Sequence, residues 1–136
     1  MEDKVEQTSI DASSLGIAHT RWATHGEPSE ANAHPHFNKD KTLYVVHNGI
    51  IENYVEIKAK IMKDGYEFIS ETDTEILAHL FESFMKEGNS LLKSVQLGLI
   101  EVRGTYGISV ISKTEPDKII VAKKGSPLVL GIGDGE

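Results

Sequence analysis

Apolar and polar positions along this chain fall into two periods, and the change between them marks its elements. From residue 53 onward Tyr54, Ile57 and Ile61 lie on one face of a helix, and Gly65 is placed to end it. Asn53, with Glu56 three residues on, has the spacing of an N-cap pair. A cleaner stripe of Ile76, Leu77, Leu80, Phe81 and Phe84 predicts a second helix. Thr72 and Glu75 stand before it at capping-box spacing, and Gly88 stops it. His79 falls off that stripe and reads as a surface residue. Ser90 can cap a third helix, with Leu91, Leu92, Val95 and Leu99 turned inward.

Elsewhere the pattern is that of strands. Residues 42–47, Thr-Leu-Tyr-Val-Val-His, have the composition and length of one. Residues 107–111 and 118–122 predict two more, joined by a polar turn over 113–117. Shorter strands are predicted at 16–19 and 66–69. Residues 26–41 hold Gly, two Pro, two Asn and two His, which is loop chemistry, and Gly125-Ser126-Pro127 breaks the chain again. Paired helices between groups of strands give an α+β class, an antiparallel sheet covered by helices. Residues 1–15 are polar and read as a lead-in arm, with one domain over 16–136.

Composition narrows the setting. A chain of 136 residues suits one domain with a real core. The net charge of −7 argues against a nucleic-acid surface and supplies no polybasic patch for anionic lipid. Zero cysteines exclude a disulfide framework and any thiolate metal site. The acidic start Met1-Glu2-Asp3-Lys4 has no signal-peptide pattern, and no apolar run nears the roughly 18 residues of a membrane span. The expectation is a cytoplasmic domain with no membrane or nucleic-acid partner.

Three polar clusters stand out: residues 19–26 (His-Thr-Arg-Trp-Ala-Thr-His-Gly), 47–53 (His-Asn-Gly-Ile-Ile-Glu-Asn) and 71–75 (Glu-Thr-Asp-Thr-Glu). Asn48-Gly49 is the strongest two-residue hairpin signal, yet a helix pattern follows it instead of a mating strand. The chemical reading is that the Asn48 side-chain amide and the Gly49 N–H aim at one spot, as an oxyanion hole requires. Arg21, plain as a surface ion-pair partner, is also suited to clamp a carboxylate through two parallel bonds. Asp73, plain as a helix-start charge, is also suited to pair with an ammonium. An arginine and an aspartate on one pocket would fit a free α-amino acid. His34-Pro35-His36, with His19, His25 and His47 nearby, permits a metal-hydrolase reading, but no H-E-x-x-H is present.

Together the clusters carry a resemblance to the class II glutamine amidotransferases, and within them to the glutaminase domain of glucosamine-6-phosphate synthases. It runs from about Gly16 to the last residue and includes Asn32-Ala33-His34-Pro35-His36, Arg103-Gly104-Thr105-Tyr106-Gly107 and Gly125-Ser126-Pro127-Leu128-Val129. The resemblance implies an N-terminal-nucleophile hydrolase fold, a four-layer αββα sandwich. It implies that an N-terminal cysteine attacks the glutamine amide to give a thioester, and that ammonia passes to a separate sugar-phosphate isomerase domain. No cofactor and no metal are implied. Arg21 would hold the substrate carboxylate, Asp73 its α-amino group, and Asn48 with Gly49 the oxyanion. Trp22, Thr24 and His25 would belong to a loop over residues 21–29 that closes on bound glutamine.

The chain departs from that family in lacking the cysteine nucleophile. The family's first strands and helix are also missing, so the sandwich is expected to be incomplete. Three readings follow: an inactive piece of an amidotransferase that handles L-glutamine and L-glutamate in its parent; a stand-alone glutamine-binding module; and a metal hydrolase using His34 and His36. Exposed strand edges are expected to drive self-association.

Overall fold

The computed structural model describes residues 15–20 and 27–134. Four strands form one antiparallel sheet in the order β1 (His36–Phe37), β2 (Leu43–Ile51), β3 (Gly104–Ser112), β4 (Glu115–Lys124). Between β2 and β3 the chain makes α1 (Tyr54–Lys63), α2 (Glu75–Lys86) and α3 (Leu91–Glu101). The α+β class is thus observed. Leu43, Val45, Ile51, Tyr106, Ile108 and Val110 alternate onto one sheet face and join Ile76, Leu77, Leu80 and Phe81 of α2 in a single core. Helices α1 and α3 pack on α2. At Gly98 of α3 an added Cβ would stand 2.6 Å from the Phe81 ring, so glycine is what lets these two helices approach.

Several local expectations give way to tertiary bonding. Strand β2 does not stop at His47; it pairs with β3 through Ile51, and Asn48-Gly49 lies inside the ladder opposite Gly107 and Tyr106. Residues 16–19 are not a strand, while the predicted loop over 26–41 contains β1. Residues 66–69 are not a strand either, because the Ile69 and Ser70 N–H groups donate to the Glu75 carboxylate at 2.9 and 2.6 Å instead of to a neighbouring chain.

The helix starts also differ. Asn53 is the N-cap of α1 by position, but its side chain caps nothing there. Its amide donates to the Glu101 carbonyl and accepts from the Arg103 N–H, tying α1 to the α3–β3 corner. Thr72 does not cap α2, whose first residue is Glu75. Ser90 does cap α3, accepting from Lys93 N–H. Leu92 is exposed and does not turn inward. His79 is buried, not superficial, because Tyr66 and Phe68 close over the side of α2 that the stripe leaves polar.

The second sheet face is apolar and half covered. The register aligns Tyr44, Ile111 and Ile119 across β2, β3 and β4, and likewise Val46, Ser109 and Val121. Ile50, Ile119 and Val121 are exposed there. Among the described residues no helix is long and apolar enough to cross a membrane.

Candidate functional site

The site is built where the far half of β2 meets the start of α2. Asp73, 4% exposed, ends the turn before α2, and its Oδ2 accepts the Ile51 N–H at 2.8 Å. The Thr74 hydroxyl donates to Asp73 Oδ1 at a long 3.4 Å. The same hydroxyl meets His47 Nδ1 at 2.9 Å, and His47 Nε2 lies 3.4 Å from the Thr105 carbonyl on β3. Burial pushes the His47 imidazole below its ordinary 6.5, against the pull of Asp73 and the Thr105 carbonyl; His19 adds to the depression. The ring is therefore neutral at physiological pH.

Strand geometry turns the Asn48 side chain away from this buried seam, while Gly49, one residue further, stays beside it. Asn48 is exposed and, by strand alternation, projects opposite His47. Its Oδ1 accepts from His19 Nε2 at 2.8 Å, which leaves the Nδ2 amide as the donating end. Gly49 follows with φ of +138°. A Cβ there would stand 2.2 Å from the Thr105 carbonyl oxygen and 3.0 Å from His47 Nε2, so only glycine fits. The tail after β4 returns to the same place: Tyr106 and Gly125 form a parallel bridge, and the Ser126 hydroxyl donates to the Asn48 carbonyl at 3.1 Å.

The turn that carries Asp73 is clamped from below. Glu75 accepts from Ile69 N–H, Ser70 N–H and the Ser70 hydroxyl. Burial would raise its carboxyl, but the neighbouring His79 and these bonds from Ser70 and Ile69 prevail and hold it down at about 2. Ser70 meets the Thr72 hydroxyl, which meets His36 Nε2 at 2.9 Å. Asn32 accepts the Glu71 N–H and donates to the Glu27 carbonyl, fixing residues 27–32 to the same turn.

Of the residues picked from sequence, Asn48, Gly49 and Asp73 are carried by this junction. Arg21, Trp22, Thr24 and His25 lie outside the described residues. The histidines form a fence alongside. His19 and His34 stack at 4.3 Å, His34 Nδ1 accepts the His47 N–H, and His34 meets His36 edge-on at 4.8 Å. Among the described residues no three His, Asp or Glu side chains gather as a metal-ligand set. Sequence reasoning passed over Thr74, Thr105 and Ser126. Ser126 carried a signal in its Gly-Ser-Pro run; Thr74 and Thr105 stand inside the runs 71–75 and 103–107, but nothing local marked their role, which rests on contacts across 27 and 58 residues.

Comparison with known proteins adds the following. Residues 4–124 match the family model described as a glutamine amidotransferase domain. Over 134 residues the chain is 52% identical to the glutamine–fructose-6-phosphate aminotransferase (isomerizing) of Chlorobaculum tepidum, covering 97% of this chain and 22% of that protein. Its identity to the Clostridium tetani protein of the same name is 48% over 136 residues, 100% of this chain and 22% of that protein. The chain thus spans about a fifth of these relatives. Among solved structures, the glutamine phosphoribosylpyrophosphate amidotransferase of B. subtilis, complexed with ADP and GMP, aligns with a TM-score of 0.61 at 28% identity. That alignment covers 77% of this chain and 22% of that one. A structure described as the allosteric regulatory enzyme of purine biosynthesis aligns with a TM-score of 0.62, also at 28% identity, over 77% of this chain and 22% of that one.

Proposed function

Since the chain belongs to the glutamine amidotransferase family, we propose that it is the glutamine-binding part of a glutamine–fructose-6-phosphate aminotransferase. In the parent enzyme, ammonia released from glutamine goes to a separate isomerase domain that converts fructose 6-phosphate to glucosamine 6-phosphate. The Asp73 carboxylate receives the α-amino group and Arg21 the α-carboxylate. Asn48 Nδ2 and the Gly49 N–H stabilise the charge that builds on the amide oxygen when the carbonyl is attacked. Trp22, Thr24 and His25 belong to the loop that closes over the ligand.

The observation that carries this reading is the bond from Ile51 N–H to Asp73 Oδ2. It docks a buried carboxylate two residues beyond Gly49, with Oδ1 held, among the described residues, by one long contact and able to take a cation. Calorimetry tests it. L-Glutamine should bind, and Arg21→Ala or Asp73→Asn should weaken binding at least tenfold, the loss of one charge-assisted bond of roughly 1.5–3 kcal/mol. Equal affinity for all three proteins would overturn the assignment. Because the chain has no cysteine, no thiolate can form, and glutamate release should stay at background.

The finer architecture we assign is the four-layer αββα sandwich of N-terminal-nucleophile hydrolases. The face bearing Tyr44, Val46, Ile111, Ile119 and Val121 is then the one that meets a second sheet. With β1 and β4 at the sheet edges, the isolated chain should self-associate. Light scattering that returned a monomer mass at every concentration would refute that.

A further inference from the structure

A proton count around His47 carries one inference further. Three contacts run in series: Asp73 Oδ1 to the Thr74 hydroxyl, that hydroxyl to His47 Nδ1, and His47 Nε2 to the Thr105 carbonyl. Each contact needs one hydrogen. The hydroxyl owns one and a neutral imidazole owns one. Two hydrogens cannot fill three contacts, so one contact always lacks its proton.

The alternatives are concrete. If Thr74 donates to Asp73, His47 must donate from Nδ1, and the Nε2 lone pair then faces the Thr105 carbonyl oxygen. If Thr74 donates to His47 Nδ1, Nε2–H satisfies Thr105, and Asp73 Oδ1 loses its hydroxyl donor. A third proton on the ring would fill all three contacts, but burial opposes the charged form. The groups acting on the ring are Asp73 and Thr74 from the α2 side, Thr105 from β3, and His19 from the fence, while His34 accepts from the His47 backbone N–H.

A cation at Asp73 removes the conflict, because it brings its own N–H to Oδ1. We propose that His47 is a positioning residue that couples amino-group recognition at Asp73 to the Gly49 segment, by a reversal of the Thr74–His47 hydrogen bond. This deepens the reading above, since it takes Asp73 as the receptor of the ligand's amino group. Once Oδ1 is occupied, Thr74 turns its hydrogen to His47, the ring settles as the Nε2–H tautomer, and the Thr105 carbonyl is held. That carbonyl and His47 Nε2 are the two groups that fill the space where a Gly49 Cβ would stand, so the backbone N–H that serves the oxyanion is steadied as the amino group arrives.

The test is nitrogen NMR of the His47 ring in the isotope-labelled chain, with an unchanged amide spectrum as the check that each variant folds. In the ligand-free protein the two ring nitrogens should resonate close together, as an exchanging tautomer pair does. Asp73→Asn presents an amide N–H to the Thr74 oxygen and so imitates the occupied state. It should split the two resonances and move the tautomer ratio toward Nε2–H by about tenfold, or about 1.4 kcal/mol. Thr74→Val, which deletes the shared hydroxyl, should give the same split by another route and keeps the question open to decision if Asp73→Asn does not fold. Saturating L-glutamine should reproduce the split in the wild-type chain. A ligand-free ring already wholly Nε2–H, or variant rings unchanged from the wild type, would overturn the relay. Calorimetric binding of L-glutamine without any change in the ring would do so too. Absence of glutamine binding counts against the ligand assignment made above, while the Asp73→Asn comparison still decides the relay.

Discussion

Helix α2 buries ionisable side chains at two levels, and their surroundings differ. At its start, Asp73 and Glu75 accept from Ile51, Ile69 and Ser70 N–H groups and from the Thr74 and Ser70 hydroxyls. One turn on, His79 and Glu82 are equally buried, yet both His79 nitrogens and Glu82 Oε2 have no hydrogen-bond partner among the described residues. His79 Nε2 stops 3.6 Å from Glu75 Oε1, and Nδ1 stops 3.9 Å from Glu82 Oε2. Its ring is instead wedged between Tyr66 and Phe68, at 5.3 and 4.9 Å. The contrast shows two uses of buried polarity. The first cluster fixes a turn by many directed bonds; the second packs a flat ring whose nitrogens make no hydrogen bond and act on the Glu75 and Glu82 carboxylates only at longer, ion-pair range.

The sharpest way to break the first cluster is Gly49→Ala. The added carbon would overlap the Thr105 carbonyl and distort the ladder around His47. A loss of about 3 kcal/mol is expected, from strain and overpacking together, read as a large fall in melting temperature. Next comes a matched pair, Glu75→Gln and His79→Leu. Glu75→Gln turns an acceptor into a donor against N–H groups that need an acceptor, and should cost about 1–3 kcal/mol. Its carboxyl is held at about 2 against an ordinary 4.5. The stability it supplies is thus complete above pH 4.5 and drains away as pH falls toward 2; in Glu75→Gln that part of the acid limb should flatten. His79→Leu removes two nitrogens that lack hydrogen bonds, but also the imidazole that helps hold the Glu75 carboxyl down; the two effects offset, so the change should stay within about 1 kcal/mol of the wild type. Thermal unfolding of the pair decides the comparison, and equal destabilisation would erase the distinction between the clusters.

Elements were legible wherever one face alone decides burial. The Ile76, Leu77, Leu80, Phe81 stripe, the stops at Gly65 and Gly88 and the Ser90 cap follow from local pattern, and the structure has all of them. Legibility failed where a distant partner overrides a local preference. Asn48-Gly49 is a turn signal by itself, but pairing with Tyr106 and Gly107 keeps it in the strand. Asn53 and Glu75 have capping chemistry, yet Asn53 serves the α3–β3 corner and Glu75 the preceding turn. His79 was misjudged because amphipathic logic assumes one covered face, whereas α2 is covered on several. At the site, residue types were readable and geometry was not. That Asp73 suits an ammonium follows from its chemistry, but its bond to Ile51, which joins two segments 22 residues apart, is a product of the fold.

The bond from Ser126 to the Asn48 carbonyl has a mechanical side. Past β4 the backbone is tethered to the strand residue whose amide is the candidate oxyanion donor, and Gly107 is bare enough to let Ser126 lie within van der Waals reach. A tug on the chain beyond Pro127 is therefore delivered to Asn48 through a single hydroxyl, and a shift of that strand is passed outward along the same leash.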